Sequence, residues 1–232
     1  MVKRSVCFVG DELMLGLRDP EGLGWPMRLV QAERQNGHAL VPYVLAVEND
    51  TTPDVEARWR AECDIRLGSL PSSALVFCFG LNDLARGPEG LRVSLPETLV
   101  IAEKIISEAA AWRAVFWVGP PPVGPGVRVR PDSRRLPHAY DPVLVRGLTR
   151  SFAAVAQRCN VPFFDLAGTL ESNSRYAAAL ALGNGIVPAA DGHAVIAARL
   201  AHWAPWREWL DRGVHPTVFS ETSPQNLVAH LA

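Results

Sequence analysis

Four polar segments, each following a short apolar run, hold the side chains best suited to chemistry. Gly10-Asp11-Glu12-Leu13 follows residues 6–9, and Glu48-Asn49-Asp50-Thr51 follows residues 39–47. Gly80-Leu81-Asn82-Asp83 follows residues 74–79, and Gly119-Pro120-Pro121 follows residues 114–118. The first three are rich in carboxyl groups: Asp11, Glu12, Glu48, Asp50 and Asp83. Carboxyl groups crowded together resist ionising together, and an apolar neighbour such as Val187 adds a desolvation cost; both effects raise a carboxyl pKa. A group tuned in this way is a serviceable general acid or base near neutral pH. The side-chain amide of Asn82 is suited to stabilising an enolate or alkoxide oxygen.

These segments need a scaffold that gathers them. The apolar runs at 6–9, 39–47, 74–79, 114–118 and 162–164 are short and nearly all apolar, as strands are when a parallel sheet is covered on both faces. Helix-length patterns occupy 24–36, 53–67, 96–112, 141–160 and 192–203. Thr51-Thr52 can cap the second and Ser94 the third, while Asn36-Gly37 stops the first. This alternation predicts an α/β fold: three α/β/α layers around a doubly wound, five-stranded parallel sheet of flavodoxin-like type with right-handed crossovers. Ligands of such sheets bind beyond the carboxyl ends of the strands, where the four polar segments lie. Residues 119–139 read as a long Pro/Gly/Arg-rich loop, residues 168–190 as small and irregular, and residues 213–232 as a tail beyond a domain spanning 1–212.

The order and placement of these blocks resemble the SGNH (GDSL-type) hydrolase family. Gly10-Asp11-Glu12-Leu13 resembles its GDSL block, Gly80-Leu81-Asn82-Asp83 its GxND block, and Gly119-Pro120 the turn after its fourth strand. The resemblance runs from about residue 6 to residue 209. It implies a serine nucleophile at position 12. It also implies an oxyanion hole made by that residue's amide, a second-block glycine amide and the asparagine side chain, and a DxxHP block supplying aspartate and histidine. Gly80 and Asn82 are kept. Position 12 is glutamate, and the second-block glycine falls on Ala46, whose backbone N–H is still a donor.

Three segments compete for the DxxHP block. Asn184-Gly185-Ile186-Val187-Pro188 has the spacing, the proline and a following Gly192-His193, with Asn184 in place of aspartate and Val187 in place of histidine. Asp191-Gly192-His193 is one residue short. Asp211 with His215-Pro216 is one residue long and lies after the last expected helix. The first is the preferred alignment. Under it all three triad members are replaced: glutamate is not a serine-like nucleophile, and valine accepts no proton.

Three functional readings follow. In the leading one, Glu12 transfers protons on a small carbonyl-containing molecule, in an elimination, isomerisation or cyclisation, with Asn82 as oxyanion donor and Asp11, Ala46, Glu48, Gly80, Asp83, Asn184 and Val187 lining the site. In the second, the fold persists as a binding or scaffolding module and Glu12 caps a helix N-terminus. In the third, an ester hydrolase uses His215 as base. Arg128, Arg130, Arg134 and Arg135 suit either a lid that clamps an anion or a solvated basic loop, and His138 ends that loop.

Composition narrows the field. The chain has 232 residues, 48% hydrophobic and 20% charged, with a formal net charge of −1, so nothing marks it for nucleic acid or an anionic membrane. The four cysteines, Cys7, Cys63, Cys78 and Cys159, form no CxxC pair and read as buried thiols of a cytoplasmic protein. The apolar run after Lys3-Arg4 is too short for a leader, and no stretch is long enough to span a bilayer. No Walker or GxGxxG motif follows a strand and no His/Cys group has metal-ligand spacing, so no cofactor and no metal is expected. A small molecule is the expected partner. Trp203, Trp206 and Trp209 recur at three-residue spacing; packed inward they join the core, and exposed they mark a homodimer interface.

Overall fold

A computed structural model describes residues 3–70, 72–129 and 138–212. Five strands, β1 (Lys3–Gly10), β2 (Ala39–Ala46), β3 (Ser73–Cys78), β4 (Ala114–Val118) and β5 (Phe163–Phe164), form one parallel sheet. The order is β2-β1-β3-β4-β5. This is the flavodoxin-like doubly wound order, whose switch point lies between β1 and β3. Residues 6–9 and 74–79 are essentially sealed from solvent, which explains why those runs carry no alternation.

Among the described residues eight helices flank the sheet: α1 (Trp25–Gln35), α2 (Thr52–Leu67), α3 (Leu95–Ala110), α4 (Pro142–Arg158), α5 (Leu166–Leu170), α6 (Ser174–Leu182), α7 (Ala190–Ala201) and α8 (Ala204–Asp211). α1, α6, α7 and α8 pack together as one layer, and α2, α3 and α4 form the other. Caps are where short polar side chains stand at helix starts. The backbone N–H and hydroxyl of Thr51 both donate to Asp54, Ser94 accepts from Glu97 N–H, and Asp141 accepts from Val143 N–H.

Two expectations are revised. Residues 168–190 are not irregular: they finish α5 and contain α6, whose start is fixed by Asn173 accepting from Tyr176 N–H at 2.9 Å. The loop 119–139 is partly paired. Arg128–Val129 and His138–Ala139 join Arg86–Gly87 and Gly90–Leu91 in a second, antiparallel four-stranded sheet.

The tryptophan stripe turns inward. Trp203, Trp206 and Trp209 surround the Phe116 ring with centroids 5.7, 5.4 and 5.8 Å away, and Trp206 is buried. Each such pair adds about 0.5–1.5 kcal/mol beyond the area it buries. Glu33, buried on α1, fastens the same helix by accepting from Trp206 Nε1 and Arg207 Nη1. Trp203 and Trp209 are half-buried and pack against that core. Cys7, Cys63 and Cys78 are buried thiols and Cys159 is half-buried. Among the described residues no helix is long and apolar enough to cross a membrane.

Candidate functional site

The site sits at the switch point, above the carboxyl ends of β1, β2 and β3. Gly10 ends β1 where a Cβ would meet the Cys78 carbonyl oxygen at 1.8 Å, so only glycine lets β1 and β3 approach this closely. The chain then makes a single 3-10 turn, Glu12–Met14. Asp11 caps it, Oδ1 accepting from Leu13 N–H at 3.1 Å. The turn fixes Glu12 beside β2 and β3.

Glu12 is buried, and its Oε2 accepts two hydrogen bonds: from the Asn49 backbone N–H at 2.8 Å and from Asn82 Nδ2 at 2.9 Å. Asn82 spends its second amide hydrogen on the Asp50 carbonyl at 3.1 Å, and its Oδ1 accepts from the Tyr140 hydroxyl at 3.0 Å. Both amide hydrogens and the oxygen of Asn82 are thus engaged within the protein. Among the described residues Glu12 has no ion pair and its Oε1 no hydrogen-bond partner.

One donor on Oε2 comes from the 48–51 turn and the other from the GxND-like block, the two places where the resemblance puts oxyanion donors. The first is the Asn49 N–H, three residues beyond Ala46, the position on which the resemblance puts the second-block glycine. Ala46 is the last residue of β2, paired with Gly10. Three residues on, Asn49 adopts φ +67°, the left-handed conformation expected at a glycine position and tolerated by asparagine. That conformation turns its N–H toward Glu12. Arg92 braces the peptide, Nη1 donating to the Asn49 carbonyl at 3.0 Å. Arg58 of α2 stitches the strand ends, donating to Asp50, to the Leu45 carbonyl and to the Gly10 carbonyl at 2.7–2.9 Å.

The other expected residues divide. Asp11 is completely buried with Oδ2 unpartnered, and burial, followed by the neighbouring Glu12, pushes its carboxyl well above the usual range. The crowding foreseen for the cluster therefore shows on Asp11. Asp83 is buried and structural: Oδ1 accepts from Thr52 N–H and Oδ2 from the Thr98 hydroxyl, both at 2.7 Å, which ties α2 and α3 to the β3 loop. Burial pushes its carboxyl up, against those bonds. Gly80 belongs to the core rather than to a ligand surface; at φ +98° its absent side chain leaves room for the Phe152 ring, 2.8 Å from where a Cβ would stand. Glu48 is exposed on the turn and makes no ion pair among the described residues, so it is not part of the buried carboxyl group.

Asn184 closes its own turn, Oδ1 accepting from Ile186 N–H at 3.0 Å and Val187 N–H at 2.7 Å. Val187 is buried in the core just ahead of α7. The competing Asp191-Gly192-His193 segment is not a dyad. Asp191 points outward to Arg175 at 2.6 Å, whereas His193 is sealed, with both ring nitrogens unpartnered. Burial drives the His193 pKa down to about 4, opposed by Asp19, the charged neighbour it senses together with Arg28. Arg175 and Tyr176, unplaced by sequence, lie on α6, and the Tyr176 hydroxyl donates to the Pro122 carbonyl. His215, with the tail, and Arg130, Arg134 and Arg135 lie outside the described residues, as do the side chains of Arg128 and His138.

Four residues escaped the sequence reading: Asn49, Arg58, Arg92 and Tyr140. Asn49 carried a signal, an asparagine inside a turn after a strand. Tyr140 and Arg92 carried none, because each reaches the site only through the antiparallel sheet that the loop forms. Tyr140 is buried, and burial followed by Glu12 pushes its hydroxyl pKa up. Among the described residues no group of three His, Cys, Asp or Glu side chains is arranged to hold a metal ion.

The sequence pattern of the GDSL-like lipase/acylhydrolase family matches residues 8–195. The chain belongs to that family. Solved structures agree on the fold. A lipase/acylhydrolase from Enterococcus faecalis superposes with a TM-score of 0.69 at 18% identity, over 88% of this chain and 96% of its own. Axe2, an acetylxylan esterase from Geobacillus stearothermophilus, gives 0.65 at 16% identity over 90% and 94%. LAE5, an α/β hydrolase enzyme from the metagenome of Lake Arreo, Spain, gives 0.65 at 19% identity over 90% and 96%. No curated protein matches the sequence.

Proposed function

We propose that this chain is a non-hydrolytic member of the GDSL-like family that binds a small molecule at the Glu12 site. One observation carries the reading: Oε2 of Glu12 is held by both Asn49 N–H and Asn82 Nδ2. An acyl hydrolase needs those donors free for the oxygen that becomes negative in the transition state. Here a side-chain oxygen already occupies them. A substrate carbonyl would have to displace a carboxylate from two hydrogen bonds and then develop charge beside it. The nucleophile position offers no hydroxyl, and Val187, aligned with the base, offers no proton acceptor.

The test is hydrolysis of p-nitrophenyl acetate and butyrate by the purified chain. The expected rate is that of buffer. Turnover that survives Glu12→Gln would overturn the reading, and loss of that turnover in His215→Ala would assign it to a tail histidine.

A second reading is favoured by Oε1, which accepts no hydrogen bond among the described residues. A carboxyl group with one oxygen locked and the other so placed can move a proton on a bound carbonyl compound. In that case Asn82 orients Glu12 rather than serving as the oxyanion donor, since both its hydrogens are spent. The two readings separate on whether the bound molecule is returned changed.

A further inference from the structure

Away from the Glu12 turn, α6 and α7 pack side by side and leave a groove of about 390 Å3 between them. Short apolar side chains, Ala194, Val195 and Ala198, line one part of it, and three basic side chains, Arg175, Arg199 and His202, line the rest together with Asn173. The lining is assembled by the fold. Val195, Ala198, Arg199 and His202 recur at three- and four-residue spacing and so share one face of α7, whereas Arg175 comes from the first turn of α6. The lining holds no acidic residue, although the chain as a whole has a formal net charge of −1.

The polar groups have donor chemistry to offer. Arg175 meets Asp191 at 2.6 Å, but the two side chains are 63% and 65% exposed, and an ion pair so open to water is weak, so a second anion can share that guanidinium. His202 Nδ1 lies 2.8 Å from the Ala198 carbonyl, which makes Nδ1 the protonated nitrogen; Nε2 donates once the ring is a cation. Oδ1 of Asn173 accepts from Tyr176 N–H, so Nδ2 is the end of that amide able to donate elsewhere. Guanidinium forks match the oxygens of a phosphate group, and the three terminal oxygens of a monoester can be reached from both helices at once. A carboxylate, with two oxygens and one charge, would use fewer of these donors.

We infer that the groove between α6 and α7 is a second binding site, for a small phosphate monoester held by Arg175, Arg199 and His202, with its organic part against Ala194, Val195 and Ala198. Glu12 takes no part in it.

The experiment titrates the 15N-labelled full chain with phenyl phosphate, inorganic phosphate, benzoate and phenol, and follows the amide signals of Ala194, Val195, Ala198 and Arg199. Phenyl phosphate is expected to shift them along a saturating curve, at least about fivefold more tightly than benzoate and about threefold more tightly than inorganic phosphate, with no saturation by phenol. Arg199→Gln is expected to weaken phenyl phosphate at least about tenfold, and Arg150→Gln, on α4, by less than about twofold. Both arginines are exposed, so neither change disturbs the core. Equal binding of inorganic phosphate overturns the monoester and leaves a site for the free ion, and equal binding of benzoate overturns the preference for phosphate. Shifts confined to Glu12 and Asn49, equal losses in the two variants, or no saturating shift with phenyl phosphate each overturn the site itself.

Discussion

The two halves that the family resemblance assigns to the site, the donor half and the base half, are held differently. At the ends of β1, β2 and β3 the Asn49 N–H and the Asn82 amide meet on Glu12, with the Arg92 and Arg58 braces and the Tyr140 hydroxyl around them. Ahead of α7 the turn is held by Asn184, and Val187 is packed into the core. A hydrogen-bonded cluster is costly to break, because each buried donor left alone costs about 1–3 kcal/mol. The donor half thus depends on paired polar groups, whereas the residue aligned with the base contributes apolar burial.

The sharpest way to break that comparison is to remove the hub of the donor half. Asn82→Leu leaves Glu12 Oε2 short of a donor and the Tyr140 hydroxyl without its acceptor, both buried. We expect a loss of about 3 kcal/mol in chemical denaturation. Val187→His, on the base half, should cost clearly less. Reversal of that order would refute the contrast.

The next effect lies with His193, the only imidazole near the base half among the described residues. His193 has a folded pKa of about 4, depressed below its ordinary value. Between that value and about 6.5 the unfolded chain binds a proton that the native chain refuses, so stability rises with pH across this window and falls on acidification. The expected loss from pH 6.5 to 4 is up to about 3 kcal/mol, measured by urea unfolding, and His193→Phe should flatten the slope. A slope that persists in the variant would assign it elsewhere.

Smaller, and opposite in sign, is Asp11. Its carboxyl is raised in the fold, so the native chain holds a proton that the unfolded chain releases, and stability falls as pH rises above the ordinary carboxylate range. Asp11→Asn keeps an acceptor for Leu13 N–H and removes the buried charge. It should stabilise the protein by about 1 kcal/mol at pH 8 and by nothing at pH 3. A destabilised variant at pH 8 would give Asp11 a positive role that its unpartnered Oδ2 does not show.

The smallest expected signal is a gain of chemistry. Glu12→Ser alone should remain inactive on p-nitrophenyl acetate, since no base is restored. Glu12→Ser combined with Asn184→Asp and Val187→His should show turnover above buffer, because the donors of Asn49 and Asn82 are then vacated. Activity in the single variant would mean that another group serves as base.

The sequence by itself determined the fold and the neighbourhood of the site. Five apolar runs separated by capped helices specify a parallel sheet, because a strand buried on both faces shows as an uninterrupted apolar run. The rule that ligands gather at the carboxyl ends of such strands then places Glu12, the 48–51 turn and Asn82 together. Only the tertiary structure decided which atoms meet. Ala46 ends β2 and Asn49 lies three residues on, in the turn, where a left-handed φ brings its N–H to Glu12 and Arg92 holds its carbonyl, both partners being distant in sequence. Tyr140 reaches Asn82 only because a proline-rich loop pairs with Arg86–Gly87. Glu48 and Asp83 look alike as acids beside strands, yet one is solvated and the other sealed, since burial is a property of the packed neighbours rather than of the residue.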